Sequence, residues 1–135
     1  MLQSDRYPCR LINSEIIPGF YDEAWNQAPA AGLVDVVSGG EPLMQAGELA
    51  TLLALCKAQG LHTAVETTGH APAAALLACE PLTDLFLYDI KHTDAPTFAS
   101  VTGGNLPLVL ANLALLPPAK VVLRVPVIPA FNFDE

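Results

Sequence analysis

From about residue 33 onward the chain alternates between short apolar runs and stretches of helical period, and every apolar run ends in a polar motif. Leu33-Val34-Asp35-Val36-Val37 reads as a strand that leads into Ser38-Gly39-Gly40-Glu41-Pro42. A second run, 61–66, ends in Glu66-Thr67-Thr68-Gly69, and a third, 84–90, in Asp89-Ile90-Lys91-His92. A fourth, 121–127, lies within Leu123-Arg124-Val125-Pro126-Val127-Ile128-Pro129. The motifs begin roughly 23–35 residues apart, which suits parallel strands joined by helical crossovers. Such an arrangement places the polar ends of successive strands along one edge, where α/β folds bind small ligands.

The connecting segments support this alternation. Over 46–59, Leu49, Leu52, Leu53 and Cys56 fall at i, i+3, i+4 and i+7, the spacing of one helix face. Glu48 lies in its first turn and Lys57 in its last, and Gly60 suits the left-handed residue that ends a helix. An Ala-rich helix opens near Pro72 and stops at Pro81. The segment 93–104, rich in Thr, Ser, Gly and Pro, reads as a loop. Leu106, Val109, Leu110, Leu113 and Leu116 mark the next helix face, which Pro117-Pro118 ends. Residues 1–32 show no clear period, although 20–26 has the makings of a helix start. The sequence therefore divides into an irregular segment, 1–32, and an α/β portion, 33–135.

With 135 residues the chain has room for one domain and a modest core. A mean hydropathy of +0.40 fits strands buried on both faces. The apolar runs are broken before the ~18–20 residues of a membrane span. The net charge of −8, with only six Lys and Arg, speaks against nucleic-acid backbones and anionic membranes as partners. No secretory signal pattern opens the sequence, so the cytoplasm is the expected location. Cys9, Cys56 and Cys79 are odd in number and far apart, which suits a reducing compartment without a disulfide framework.

The strand ends carry the charges that matter. Gly39 and Gly40 let backbone approach a ligand, but the neighbouring Glu41 repels phosphate and attracts an ammonium group. Alternation puts Asp89 and Lys91 on the same side of their strand. Arg124 lies inside an apolar strand, where an unpaired guanidinium is costly, so it needs a partner or a wet cavity. Glu41, Glu66 and Asp89 together with Lys91 and Arg124 form a zwitterion-sized set that fits an α-amino-acid group. Three converging acids also invite a bound monovalent cation. His62, His70 and His92 lack metal-ligand spacing, and no nucleophile–base pair or catalytic residue is assignable.

In order and wording, the four motifs resemble the middle of a radical S-adenosylmethionine enzyme, in particular the glycyl-radical-enzyme activating enzymes of the pyruvate formate-lyase activating type. Connecting text shares the likeness, including Leu55-Cys56-Lys57, His62-Thr63-Ala64-Val65-Glu66-Thr67 and Leu110-Ala111-Asn112-Leu113. The resemblance implies a partial (β/α) barrel with about four parallel βα units here. It implies that S-adenosylmethionine binds through Gly39, Gly40, Glu41, Glu66, Thr67, Asp89, Lys91 and Arg124, with the Gly-Gly-Glu loop at its amino group. It also implies a [4Fe-4S] cluster, whose reduced form cleaves the cofactor to a 5′-deoxyadenosyl radical that takes hydrogen from a glycine of the partner enzyme. The Cys-x-x-x-Cys-x-x-Cys loop for that cluster is absent from these 135 residues.

The resulting expectation is an S-adenosylmethionine-binding fragment of an activating enzyme, whose partner is a pyruvate formate-lyase-like glycyl-radical enzyme. A non-catalytic relative that serves as a partner-binding module is the alternative. An unrelated α/β enzyme for an amino acid or nucleotide is a third reading. The open edges of an incomplete barrel further lead us to expect self-association.

Overall fold

The computed structural model describes residues 9–13, 34–129 and 131–133. Five strands form one parallel sheet: β1 (Cys9–Asn13), β2 (Val34–Ser38), β3 (His62–Thr67), β4 (Leu85–Asp89) and β5 (Val121–Arg124). Their order in space is their order in sequence. Between β2 and β5, crossovers that step the same way put the described helices on one face of the sheet and curl it toward a barrel. A doubly wound sheet would instead reverse direction midway.

The crossovers are α1 (Ala46–Ala58), α2 (Ala73–Cys79), α3 (Ala95–Thr102) and α4 (Leu106–Leu113). Strand alternation sends Val37, Val65, Phe86 and Tyr88 into a core with Leu49, Leu53, Leu76, Phe98, Leu106 and Val109 from the helices. The opposite face carries Glu66, Leu87, Asp89, Val122 and Arg124, which the register aligns across β3, β4 and β5. No helix of the described residues is long and apolar enough to cross a membrane.

Three elements differ from the sequence-based expectation. The segment 93–104 is not all loop, because α3 occupies most of it. Asp94 caps that helix by accepting from the Thr97 amide at 2.9 Å and the Thr97 hydroxyl at 2.7 Å. Pro96 sits in its first turn, and Gly103 closes it at φ 69°. The second difference is β1, a strand within the aperiodic segment 1–32, which pairs with β2 from Cys9↔Val34 to Asn13↔Ser38. The fourth expected strand is also shorter than 121–127, since the ladder stops at Arg124. The possible helix start at 20–26 lies outside the described residues.

Opposite ends of the strands are fastened by different chemistry. At the N-terminal end, Asp84 accepts from Lys57 Nζ at 2.7 and 2.8 Å and from the Thr63 amide at 2.9 Å. Burial alone would raise the Asp84 carboxyl, but the hydrogen bonds from Lys57 and Thr63 outweigh it and hold the group below the ordinary carboxylate range. At the C-terminal end, Gly69 follows β3 with φ 70°, and a Cβ there would lie 1.6 Å from the Tyr88 hydroxyl. That hydroxyl is itself buried and donates to the Val109 carbonyl at 2.7 Å.

Gly69→Ala is therefore expected to destabilise the chain by about 3 kcal/mol, from combined backbone strain and overpacking, which chemical denaturation will measure. Asp84, with its lowered carboxyl, favours folding above the unfolded value of about 3.9, and this contribution disappears as pH falls through the folded value. Asp84→Asn should lower the unfolding free energy at neutral pH by about 1 kcal/mol for so solvent-screened a pair, and flatten the acid limb of the stability profile below about pH 4.

Candidate functional site

The C-terminal ends of β2 to β5 bring the predicted residues to one edge, with each group set by its own strand. After β2, Gly39 and Gly40 adopt φ values of 112° and 56°, which turn the chain back toward the helix layer. Gly40 is exposed, and a Cβ on it would meet nothing within 4 Å. Its left-handed backbone, not crowding, is what selects glycine at that position.

Glu41 follows, and its carboxylate crosses to the end of β3. Oε1 accepts from the Thr67 hydroxyl at 2.6 Å and the Leu43 amide at 3.2 Å. Oε2 accepts from the Thr68 amide at 2.9 Å and the Thr68 hydroxyl at 2.6 Å. Thr67, buried, also accepts from the Gly69 amide at 2.9 Å. Asn112 of α4 secures the same loop from the core side, donating to the Gly69 and Ala71 carbonyls at 2.8 Å each.

Arg124 ties the ends of three strands together. Its Nε donates to Asp89 Oδ1 at 2.8 Å, directly across the β4–β5 ladder, and its Nη2 donates to Glu66 Oε1 on β3. Hydrogen bonding to Asp89 first, and to Glu66 as well, makes the guanidinium bind its proton more tightly than usual despite partial desolvation. This pairing answers the cost of a charge inside an apolar strand. Among the described residues no donor bonds Glu66 Oε2 or Asp89 Oδ2 and no carboxylate pairs with the Lys91 ammonium, so these groups and Arg124 Nη1 remain available. Arg124 stays 36% exposed in its side chain, so the cluster opens to solvent.

The loops after β4 and β5 are joined as well. Asn132 donates to the Lys91 carbonyl at 2.8 Å and the Pro126 carbonyl at 2.6 Å, and accepts from the Ile128 amide at 2.7 Å. The His92 ring lies 5.0 Å from that of Phe131, and its Nδ1 accepts from the Asp94 amide at 2.9 Å. Sequence reasoning singled out neither Thr68, Asn112 nor Asn132 for these roles. The signal available was that each is a polar residue embedded in, or next to, an otherwise apolar or motif-like run.

The set thus divides. Glu66, Asp89 and Arg124 converge, with Lys91 two residues beyond Asp89, whereas the Glu41 carboxylate and the Thr67 hydroxyl are bonded to each other. The three acids do not gather as a cation cage, and no group of three or more His, Cys, Asp or Glu suited to a metal ion occurs among the described residues. Cys56 and Cys79 do not suit an iron–sulfur cluster either. Cys56 and Cys79 are buried in helices of the core, and burial pushes the Cys79 thiol up, away from the thiolate such a cluster needs.

Removing the shared cation should expose the repulsion it masks. Arg124→Ala is expected to cost about 1–2 kcal/mol, discounted for solvent screening, as read by urea denaturation. Arg124→Lys should recover only part, because a single ammonium lacks the fork that reaches two carboxylates.

The chain resembles curated proteins along most of its length. It is 41% identical over 101 residues to the choline trimethylamine-lyase activating enzyme of Oleidesulfovibrio alaskensis, covering 73% of this chain and 33% of that protein. It is 43% identical over 101 residues to the pyruvate formate-lyase 2-activating enzyme of Escherichia coli, covering 73% of this chain and 35% of that protein. A crystal structure of a domain of pyruvate-formate lyase-activating enzyme from Bacteroides vulgatus superposes with a TM-score of 0.63 at 30% identity, covering 74% of this chain and 63% of that one. No family model matches the chain. The chain spans about a third of the length of the curated relatives it matches.

Proposed function

The chain belongs to the radical S-adenosylmethionine enzymes that activate glycyl-radical enzymes, and on that footing we propose that its strand-end cluster holds the methionyl group of S-adenosylmethionine. The observation that carries this reading is the Arg124 clamp. It draws Glu66 and Asp89 together and leaves one oxygen of each open, with Lys91 two residues beyond Asp89 in the chain.

Glu66, Asp89 and Arg124 sum to one negative charge, which favours an ammonium or sulfonium cation. Lys91 and Arg124 Nη1 offer donors to a carboxylate. Gly39 and Gly40 bring peptide groups to the same edge without side chains in the way. Asn132 fixes the backbone of Lys91, so the ammonium starts from a defined point. Together these groups bind and orient a zwitterion; none of them is placed to supply a nucleophile.

When bound next to a reduced cluster, the cofactor supplies the radical chemistry of the whole enzyme. In our reading this chain contributes the cofactor-holding part of that enzyme. Its parent activity is hydrogen abstraction from a glycine of a pyruvate formate-lyase-like partner. Similar identities to activators with different named partners support assigning the shared segment to cofactor handling instead of partner choice. Those relatives include a (2S)-3-sulfopropanediol dehydratase activating enzyme and a trans-4-hydroxy-L-proline dehydratase activating enzyme. The alternative, a partner-binding module, draws on Leu123, Val125, Val127 and Ile128, which are exposed on β5 and the segment that follows it.

Calorimetric titration of the full chain with S-adenosylmethionine tests the cofactor reading. Binding is expected, and Lys91→Ala should weaken it by about tenfold, the effect of one lost charge-assisted contact. Absence of binding, or an unchanged affinity in the variant, contradicts it.

A further inference from the structure

Glu41 is the acid that the sequence most readily points at a ligand's ammonium group, yet the fold leaves it the least capacity to serve one. A carboxylate offers about four lone-pair positions, and Thr67 Oγ1, the Leu43 amide, the Thr68 amide and Thr68 Oγ1 fill them. An ammonium group would have to displace one of these donors. Losing the Thr68 amide would leave a peptide N–H unpaired in a half-buried site, a costly exchange.

The four bonds share a direction. One reaches the first turn after Glu41, one the last residue of β3, and two the loop that follows it. That loop is otherwise held from the core side, where Asn112 takes the Gly69 and Ala71 carbonyls. Glu66, with its open Oε2, immediately precedes the residues that Glu41 fastens. The placement of that oxygen therefore depends on Glu41 from one side and on Arg124 from the other.

We propose that Glu41 is a positioning residue: it braces the end of β3 against the Gly39-Gly40 turn through Thr67 and Thr68, and a ligand's ammonium is received by the open Glu66 and Asp89 oxygens. This gives Thr68 a part in the site that its hydroxyl plays only through Glu41. The identity of the ligand rests on the cofactor reading above; the brace does not.

Two measurements on the full chain test it. In amide hydrogen exchange, Glu41→Ala and Thr68→Ala should each speed exchange at residues 68–70 by about tenfold or more, the loss of a charge-assisted bond. The Thr63 amide, bonded to Asp84 at the far end of the sheet, should keep its protection and so exclude global unfolding. In S-adenosylmethionine titrations, each substitution should weaken binding about five- to tenfold. The double variant should be no more than about twofold worse than the weaker single one, because both remove one brace. Thr68→Ser, which retains the donor hydroxyl, should recover most of the loss. Losses that multiply in the double variant, or a Glu41→Ala defect with Thr68→Ala binding like the parent chain, would mean direct contact with the ammonium and overturn the proposal. If the parent chain binds no S-adenosylmethionine, the cofactor reading fails and exchange alone decides. Unchanged exchange at residues 68–70 then overturns the brace.

Discussion

Parallel strands bring charges of one sign together as readily as they bring opposite ones, and Arg124 is what makes the C-terminal edge of this sheet tolerable. Glu66 and Asp89 stand on adjacent strands and the same face. One guanidinium, placed by the β4–β5 register directly opposite Asp89, serves both. Its planar fork allows this where a point-like ammonium would serve one carboxylate at a time. The arrangement uses one oxygen of each acid and leaves the other without a donor among the described residues. A structural ion pair and a binding surface are thus the same group of atoms seen from two sides.

Behind that cluster lies a layer of neutral and charged hydrogen bonds that no ligand needs to touch. Glu41 holds Thr67 and Thr68, Asn112 holds Gly69 and Ala71, Tyr88 fills the space that a Gly69 side chain would need, and Asn132 holds Lys91. Each contact crosses between elements distant in sequence, so each converts the sheet's register into the placement of a loop. Sites of this sort need such support, because small displacements of a charged group cost much of its interaction with a ligand.

Much of the sheet was legible in the sequence because its parallel strands read as apolar runs bounded by polar motifs, as Val34–Ser38, His62–Thr67 and Leu85–Asp89 do. The α3 helix was obscured by its Thr, Ser and Gly content. Its cap residues were nonetheless in view, with Asp94 before Pro96 and Thr97, and Gly103 at the far end. The β1 strand had no such signal; a five-residue strand is identified by its partner, here β2, more than by its own pattern. Charges at the strand ends were equally visible, but not which of them bond to one another. Alternation placed Asp89 and Lys91 on one side, whereas the structure gives Asp89 to Arg124. That Glu41 would be filled by threonines 26 and 27 residues away depends on the crossover's geometry, which no local pattern encodes.

On this proposal the C-terminal strand edge, and not the Lys57–Asp84 end, receives an amino-acid-bearing cofactor. Titrating S-adenosylmethionine into isotopically labelled chain and following amide resonances by NMR tests this most directly. Shifts are expected at residues 39–41, 66–69, 89–92 and 124, with Thr63 and Asp84 unmoved. Shifts centred on Thr63 and Asp84, or no saturable shifts at the strand-end residues, would contradict it.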